Sequence, residues 1–184
     1  TGALIWKAIG SGTASANTFV HSGLVDSIAS TLTSIDTNGD GYTDRIYAGD
    51  TGGRVWRVDM HGENTSAWKL TLLADMGRHY SSNLANDRRF FHRPDVVQSK
   101  DSLGPFEAVV IGSGNRADPL SAGGLAEDFV YMIKDRNTAL NAGTNSTLNH
   151  SNIGDVTNTC LQQGSPCTAD LSKGWRLSLN STGE

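Results

Sequence analysis

One hairpin constrains the fold of this chain more than any other stretch. Arg45-Ile46-Tyr47-Ala48 reads as a strand, Asp50-Thr51-Gly52-Gly53 as a tight turn, and Arg54-Val55-Trp56-Arg57-Val58-Asp59 as the returning strand. Under strict alternation Val55, Arg57 and Asp59 share one face, and Trp56, Val58 and Met60 share the other. The second, more apolar set is expected to face the core. The unit recurs. Val109-Val110-Ile111-Gly112-Ser113, leading to Tyr131-Met132-Ile133-Lys134-Asp135, repeats the order of apolar strand, glycine turn, aromatic strand and closing Asp. Further strands are expected over 3–9, within 24–35, and over 68–73, 90–98, 106–114, 128–135 and 173–180. Pro94 demotes part of 90–98 to an edge or bulge, 13–22 reads as loop, and 83–89 reads as loop or a short helical turn.

Four-stranded sheets repeating about every 40–50 residues are the blades of a β-propeller. The fold class expected is therefore all-β, a partial propeller with quinoprotein-like blades. A closed propeller takes at least about four blades. The 184 residues hold two fairly complete units and pieces of two others. The expectation is one incomplete propeller segment over 1–184, with 136–170 a long loop or insertion, cut from a longer or processed chain. A sandwich of two unrelated hairpins is the alternative on pattern alone.

Just before the hairpin lies Asp36-Thr37-Asn38-Gly39-Asp40-Gly41-Tyr42-Thr43-Asp44. It places side-chain oxygens at loop positions 1, 3, 5 and 9 and a glycine at position 6, the oxygen spacing of a calcium loop. Asp36, Asn38, Asp40 and Asp44 would supply side-chain oxygens, and Tyr42 its backbone carbonyl, to Ca2+. Position 12 is Tyr47 where a helix–loop–helix hand carries a bidentate glutamate. The flanks read as strands, so this is an EF-hand-like loop set between strands. An Asp/Asn/Gly-rich surface turn without metal is the plain alternative.

Composition narrows the class. Glycine is abundant (21 residues) and charged residues are few at 18%, as in a turn-rich all-β protein. The net charge of −4 carries no basic footprint for nucleic acid. No apolar run is long enough to span a membrane as a helix. Cys160 and Cys167 close a short Gly-Ser-Pro turn and are a disulfide candidate for an oxidising compartment; free thiols are the alternative.

The catalytic signals are weak. Gly112-Ser113-Gly114 lacks the flanking pattern of a nucleophile elbow and reads as a strand-ending turn. His92, beside Arg93-Pro94-Asp95, could serve as a base but has no partner nucleophile in the sequence, so no catalytic residue is assigned. The Asn-X-Ser/Thr sequons at Asn64, Asn145 and Asn180 read as incidental.

The run from Asp36 through Asp59 resembles the C-terminal β-propeller of the PilY family, the type IV pilus tip adhesins and assembly factors. Arg89-Phe90-Phe91-His92-Arg93-Pro94-Asp95-Val96-Val97, Ile111-Gly112-Ser113-Gly114-Asn115-Arg116, Phe129-Val130-Tyr131-Met132-Ile133-Lys134-Asp135 and Lys173-Gly174-Trp175-Arg176-Leu177 resemble later blocks in the same order. The resemblance implies a bacterial protein exported to the periplasm, outer membrane or extracellular pilus tip. It implies calcium at Asp36, Asn38, Asp40, Tyr42 and Asp44, and work with minor pilins in the pilus tip complex. It also implies that calcium occupancy sets pilus extension against retraction, and hence twitching motility and surface attachment. Contact with a host or abiotic surface would fall to parts outside this segment. The rival classes are a quinoprotein dehydrogenase, whose axial site would draw ligands from several blades, and a purely structural propeller in which calcium staples a loop.

Overall fold

A computed structural model describes residues 2–60, 62–78, 83–117, 126–139, 146–158 and 168–179. Cys160 and Cys167, and Asn145 and Asn180 of two sequons, lie outside the described residues. The chain opens on β1 (Lys7–Ile9) and β2 (Thr18–Val20), which pair in parallel as a two-stranded sheet. Two larger sheets follow.

The first holds β3 (Thr33–Ile35), β4 (Arg45–Gly49), β5 (Arg54–Asp59) and β6 (Lys69–Asp75) as an antiparallel meander. The second holds β7 (Asp95–Asp101), β8 (Gly104–Gly112) and β9 (Phe129–Asp135), again antiparallel. The chain then runs through β10 (Leu148–Asn149) and β11 (Gly154–Asp155) before β12 (Gly174–Ser178) completes the second meander beside β9. On the way β10 adds in parallel to β6, and β11 adds in parallel to β12. The sheet orders are β10-β6-β5-β4-β3 and β11-β12-β9-β8-β7. The described part of the segment expected as a long loop or insertion is thus a strap that adds an edge strand to each sheet through β10 and β11.

The β4–β5 hairpin forms as expected, and its turn is held by a buried carboxylate. Asp50 Oδ1 accepts the N–H groups of Gly52 and Arg54, both at 2.9 Å, and Oδ2 accepts Trp56 Nε1–H at 2.7 Å. Burial pushes the Asp50 carboxyl above its ordinary range, and these three donors work against that shift. Gly53 takes φ +83°, and a Cβ there would meet Gly77 Cα at 2.6 Å and Arg88 O at 2.5 Å. No other residue fits that turn.

Several boundaries differ from the sequence reading. Only Lys7–Ile9 of 3–9 is strand, and Thr18–Val20, read as loop, pairs with it. Residues 90–94 are not strand. Phe90 is fully buried between the sheets and its N–H donates to Asp50 O, so the linker before β7 acts as a plug.

The main core lies between the two sheets and comprises Tyr47, Val55, Leu73, Phe90, Val109, Ile111, Tyr131 and Ile133 among others. This corrects the expected facing of β5. Val55, Arg57 and Asp59 point at the second sheet and are at most 4% exposed, while Trp56 anchors a smaller cluster on the outer face. The pattern misled because β5 is covered on both faces, so alternation could not rank them. Beyond that smaller cluster, the outer face of the first sheet opens into an apolar cleft of about 530 Å³ lined by Leu4, Ile5, Leu32, Trp56 and Val58. Leu4 and Ile5 are 63% and 67% exposed. On the far face of the second sheet, Val110, Val130, Met132, Trp175 and Leu177 are half-buried. The sheets do not close into a ring among the described residues.

The strap is locked to the second sheet by aromatic and polar contacts. His150 Nδ1 lies 2.8 Å from the Tyr131 hydroxyl, and its ring meets Phe129 edge-on at 4.8 Å. Arg176 donates to the carbonyls of His150 and, at 2.8 Å, Ile153, while Ile153 itself is 2% exposed. Burial first, then the charges of Arg88 and Arg176, push the His150 imidazole down to about 3, with Asp155 opposing. The unfolded chain therefore takes up a proton near pH 6.5 that the folded chain refuses until about pH 3. Folded-state stability contributed by this site is full above pH 6.5 and declines as pH falls towards 3. Chemical unfolding at pH 7 and pH 4.5 should give a smaller loss of stability on acidification in His150→Gln than in the unsubstituted chain.

Candidate metal centre

The oxygen-rich loop is the connection between β3 and β4. Its ends are pinned by the strand pair Ile35–Arg45 and by the Asp44 N–H, which donates to Ile35 O at 3.0 Å. Each acidic or amide side chain turns in on the loop's own backbone. Asp36 Oδ1 accepts the N–H of Asn38 (3.2 Å) and Gly39 (2.7 Å), and Oδ2 accepts that of Gly41 (2.8 Å). Asn38 Oδ1 accepts the Asp40 N–H at 2.9 Å, and Asp40 Oδ1 accepts the Tyr42 N–H at 2.9 Å. Asn38 Nδ2 donates to Asp40 Oδ2 at 3.1 Å. The Gly41 N–H above all, then those of Gly39 and Asn38, holds the Asp36 carboxyl below its ordinary range against the opposing effect of desolvation. Gly41 sits at φ +89°, as position 6 of such a loop requires.

Asp44 differs from the rest. It is 5% exposed, and its Oδ2 accepts the Thr37 N–H at 2.9 Å and the Thr37 hydroxyl at 2.6 Å, closing the loop at its base. Tyr42 is 77% exposed, so its ring projects away from the loop.

The donor set suits a hard cation in kind: oxygens only, three of them carboxylates. In arrangement it is not yet gathered. Among the described residues no three His, Cys, Asp or Glu side chains converge so as to hold a metal ion. In this conformation the loop spends its side-chain oxygens on backbone N–H groups.

Directly after Asp44 comes a buried ion lattice that the sequence reading missed. Arg45 Nε donates to Asp59 Oδ1 at 2.7 Å, and Arg45 NH1 donates to both oxygens of Glu107 at 2.7 Å. Arg57 NH2 lies 2.9 Å from Asp59 Oδ2, and Arg57 NH1 lies 2.7 Å from Asp135 Oδ2. The Tyr47 hydroxyl bridges Glu107 and, at 2.8 Å, Asp135. Every charged side chain in the lattice is at most 5% exposed. Desolvation, reinforced by the charges of Asp135 and Glu107, pushes the Tyr47 hydroxyl far above its ordinary value, so it stays a neutral donor. The lattice joins β4 and β5 of one sheet to β8 and β9 of the other. The signal was present in the sequence: Glu107 shares a face with Val109 and Ile111, and both recurring units close on Asp.

Among the described residues no hydrogen bond joins Ser113 to His92. The Ser113 hydroxyl donates to Asp128 Oδ1 at 2.8 Å, and Ser113 Oγ accepts the Phe129 N–H at 2.9 Å. Those bonds staple the end of β8 to the start of β9, at the strand-ending turn that the sequence predicts.

Fold and site together define an all-β propeller-type module built from paired meander sheets, with an acidic loop on an edge hairpin. No family model matches the sequence. The type IV pilus biogenesis factor PilY1 homolog of Xylella fastidiosa is 26% identical over 85 residues, which is 45% of this chain and 6% of that protein. The crystal structure of the Pseudomonas aeruginosa PilY1 C-terminal domain superposes over 81% of this chain and 38% of its own, with a TM-score of 0.57 and 19% identity. The structural likeness places the fold with that β-propeller. The chain spans well under half the length of either relative.

Removing one partner from the lattice leaves an uncompensated buried charge. Asp135→Ala should lower stability by about 3–5 kcal/mol. Arg78→Ala, which breaks a half-exposed pair with Asp26, should cost under about 1 kcal/mol. Denaturant midpoints of the two variants test the contrast.

Proposed function

We propose that this chain is a calcium-binding segment of a type IV pilus biogenesis factor, and that calcium occupancy biases the pilus between extension and retraction. One observation carries the proposal. The nine-residue oxygen loop sits on the β3–β4 hairpin and ends at Asp44, adjacent in sequence to Arg45 of the inter-sheet lattice. The names of the similar proteins supply the pilus context.

Asp36, Asn38, Asp40, Asp44 and the Tyr42 carbonyl would hold the ion. Bound calcium would supply positive charge that offsets three clustered carboxylates. Asp44 ties the base of the loop to Thr37, and its carbonyl accepts the Met60 N–H at 2.7 Å, so the loop base is fastened to the end of β5. Stiffening the loop would thereby steady the strand pair that feeds the lattice. At free calcium a hundredfold above its dissociation constant, binding would add about 2.7 kcal/mol to the ordered form. The partners on this reading are minor pilins of the pilus tip, and the setting is the bacterial cell envelope.

The segment would belong to a larger propeller. The apolar outer faces around Trp56 and around Met132 would then be covered by neighbouring blades, as stacked repeats cover one another.

Asp40→Ala in the intact protein should abolish calcium binding in calorimetric titration and remove the calcium-dependent rise in Tm, leaving the calcium-free fold intact. Undiminished binding in that variant would sink the assignment of the loop. Cells carrying the variant should lose calcium-dependent twitching and surface piliation. Lost binding with normal twitching would reduce the ion to a structural staple.

A further inference from the structure

A second site lies at the end of the second sheet where β8 finishes and β7 begins. Here a cavity of about 300 Å³, at the lower end of the size range of small-ligand sites, is lined by Phe91, His92, Gly112, Ser113, Gly114, Asn115, Arg116 and Asp128. The fold brings together in it the two motifs that the metal loop leaves unexplained, His92 and the Gly-Ser-Gly turn.

Three observations point to a ligand. Gly112 and Gly114 have no internal reason to be glycine: neither has a positive φ, and a Cβ built at either meets nothing within 4 Å. Glycine at such places lets another backbone approach closely. Asn115 keeps its Oδ1 buried with no hydrogen-bond partner, which costs free energy unless a donor arrives from outside. Finally, Arg116 and His92 are exposed at the rim, and neither is in an ion pair among the described residues. Asp128, the acidic residue of the lining, is engaged by the Ser113 hydroxyl.

We propose that this cavity binds an extended acidic peptide segment. Its carboxylate pairs with Arg116 and His92, one of its backbone N–H groups donates to Asn115 Oδ1, and its main chain lies over Gly112 and Gly114. A guanidinium recognises a carboxylate through paired N–H donors. An extended peptide brings that charge together with an N–H donor and a backbone slim enough for the open glycines. Half-buried Phe91 supplies the apolar wall.

The probe is fluorescein-labelled acetyl-Ala-Glu-Ala-amide, titrated with the intact protein and read by polarisation. Its Gln counterpart and sodium acetate as competitor complete the set. The Glu peptide should bind at least tenfold tighter than the Gln peptide, and acetate should compete only weakly. Arg116→Ala should bring the Glu peptide down to the Gln level. Gly114→Val, which fills open space at an ordinary φ, should abolish binding with Tm unchanged. Equal binding of the Glu and Gln peptides, or undiminished binding by Gly114→Val, overturns the proposal. Acetate competing as strongly as peptide overturns it too, because the site would then be one for any small anion. None of these readouts uses the calcium loop, so their failure leaves the loop assignment standing.

Discussion

The structure depends on a set of charges that have been taken out of water. Arg45, Arg57, Asp59, Glu107 and Asp135, with Tyr47 between them, lie buried at one end of the interface between two sheets, where β4 begins and β5 and β9 end. Desolvating such groups costs several kcal/mol each, and close pairing with full hydrogen bonding has to offset it. The geometry meets that condition with contacts of 2.7–3.0 Å. The consequence is specificity of arrangement. An apolar interface of Val, Ile and Phe tolerates sliding, whereas each guanidinium here has one position that satisfies its carboxylates. The lattice thereby fixes how the two sheets register on one another, and the apolar core around Val55, Val109 and Ile133 packs within that register.

The oxygen-rich loop sits at the edge of this arrangement. Asp44 is its last residue and Arg45 is the first residue of the lattice, with one peptide bond between them. Asp44 is buried and bonded to Thr37, so the loop's closing contact and the lattice's outermost guanidinium share a short, stiff segment of β4. An ion that pulled Asp36 and Asp40 towards Asp44 would act on that segment, and this is the physical content of a regulatory role for the loop.

What the sequence disclosed follows from how local each signal was. The β4–β5 hairpin, its turn and the boundaries of β9 were legible because alternation and turn chemistry act over a few residues. The turn at residues 36–44 was legible for the same reason: its Asp, Asn and Gly residues fall within nine positions, and Gly41 takes a positive φ. The facing of β5 was not, because Trp56 and Val55 are both buried and only the partner sheet decides which side is central. Nor was the strap. β10 and β11 are two-residue strands formed against distant edges, with no periodicity of their own. The lattice was half legible: Glu107 among Val109 and Ile111 marks a charge on a core face, but its partners lie 62 residues away at Arg45 and 60 at Tyr47. The likeness to PilY1 proteins agrees with the blade pattern and stands independently of it, since 19% identity over a shared fold reflects architecture more than residue choice.

The account turns on whether the β3–β4 loop gathers its oxygens around an ion. Crystals of the intact protein grown in calcium, with anomalous data, test this most directly. The account predicts a peak about 2.3–2.6 Å from oxygens of Asp36, Asn38, Asp40, Asp44 and the Tyr42 carbonyl. An ion bound elsewhere, with the Asp36 and Asp40 carboxylates still turned onto the loop's own N–H groups at saturating calcium, would contradict it.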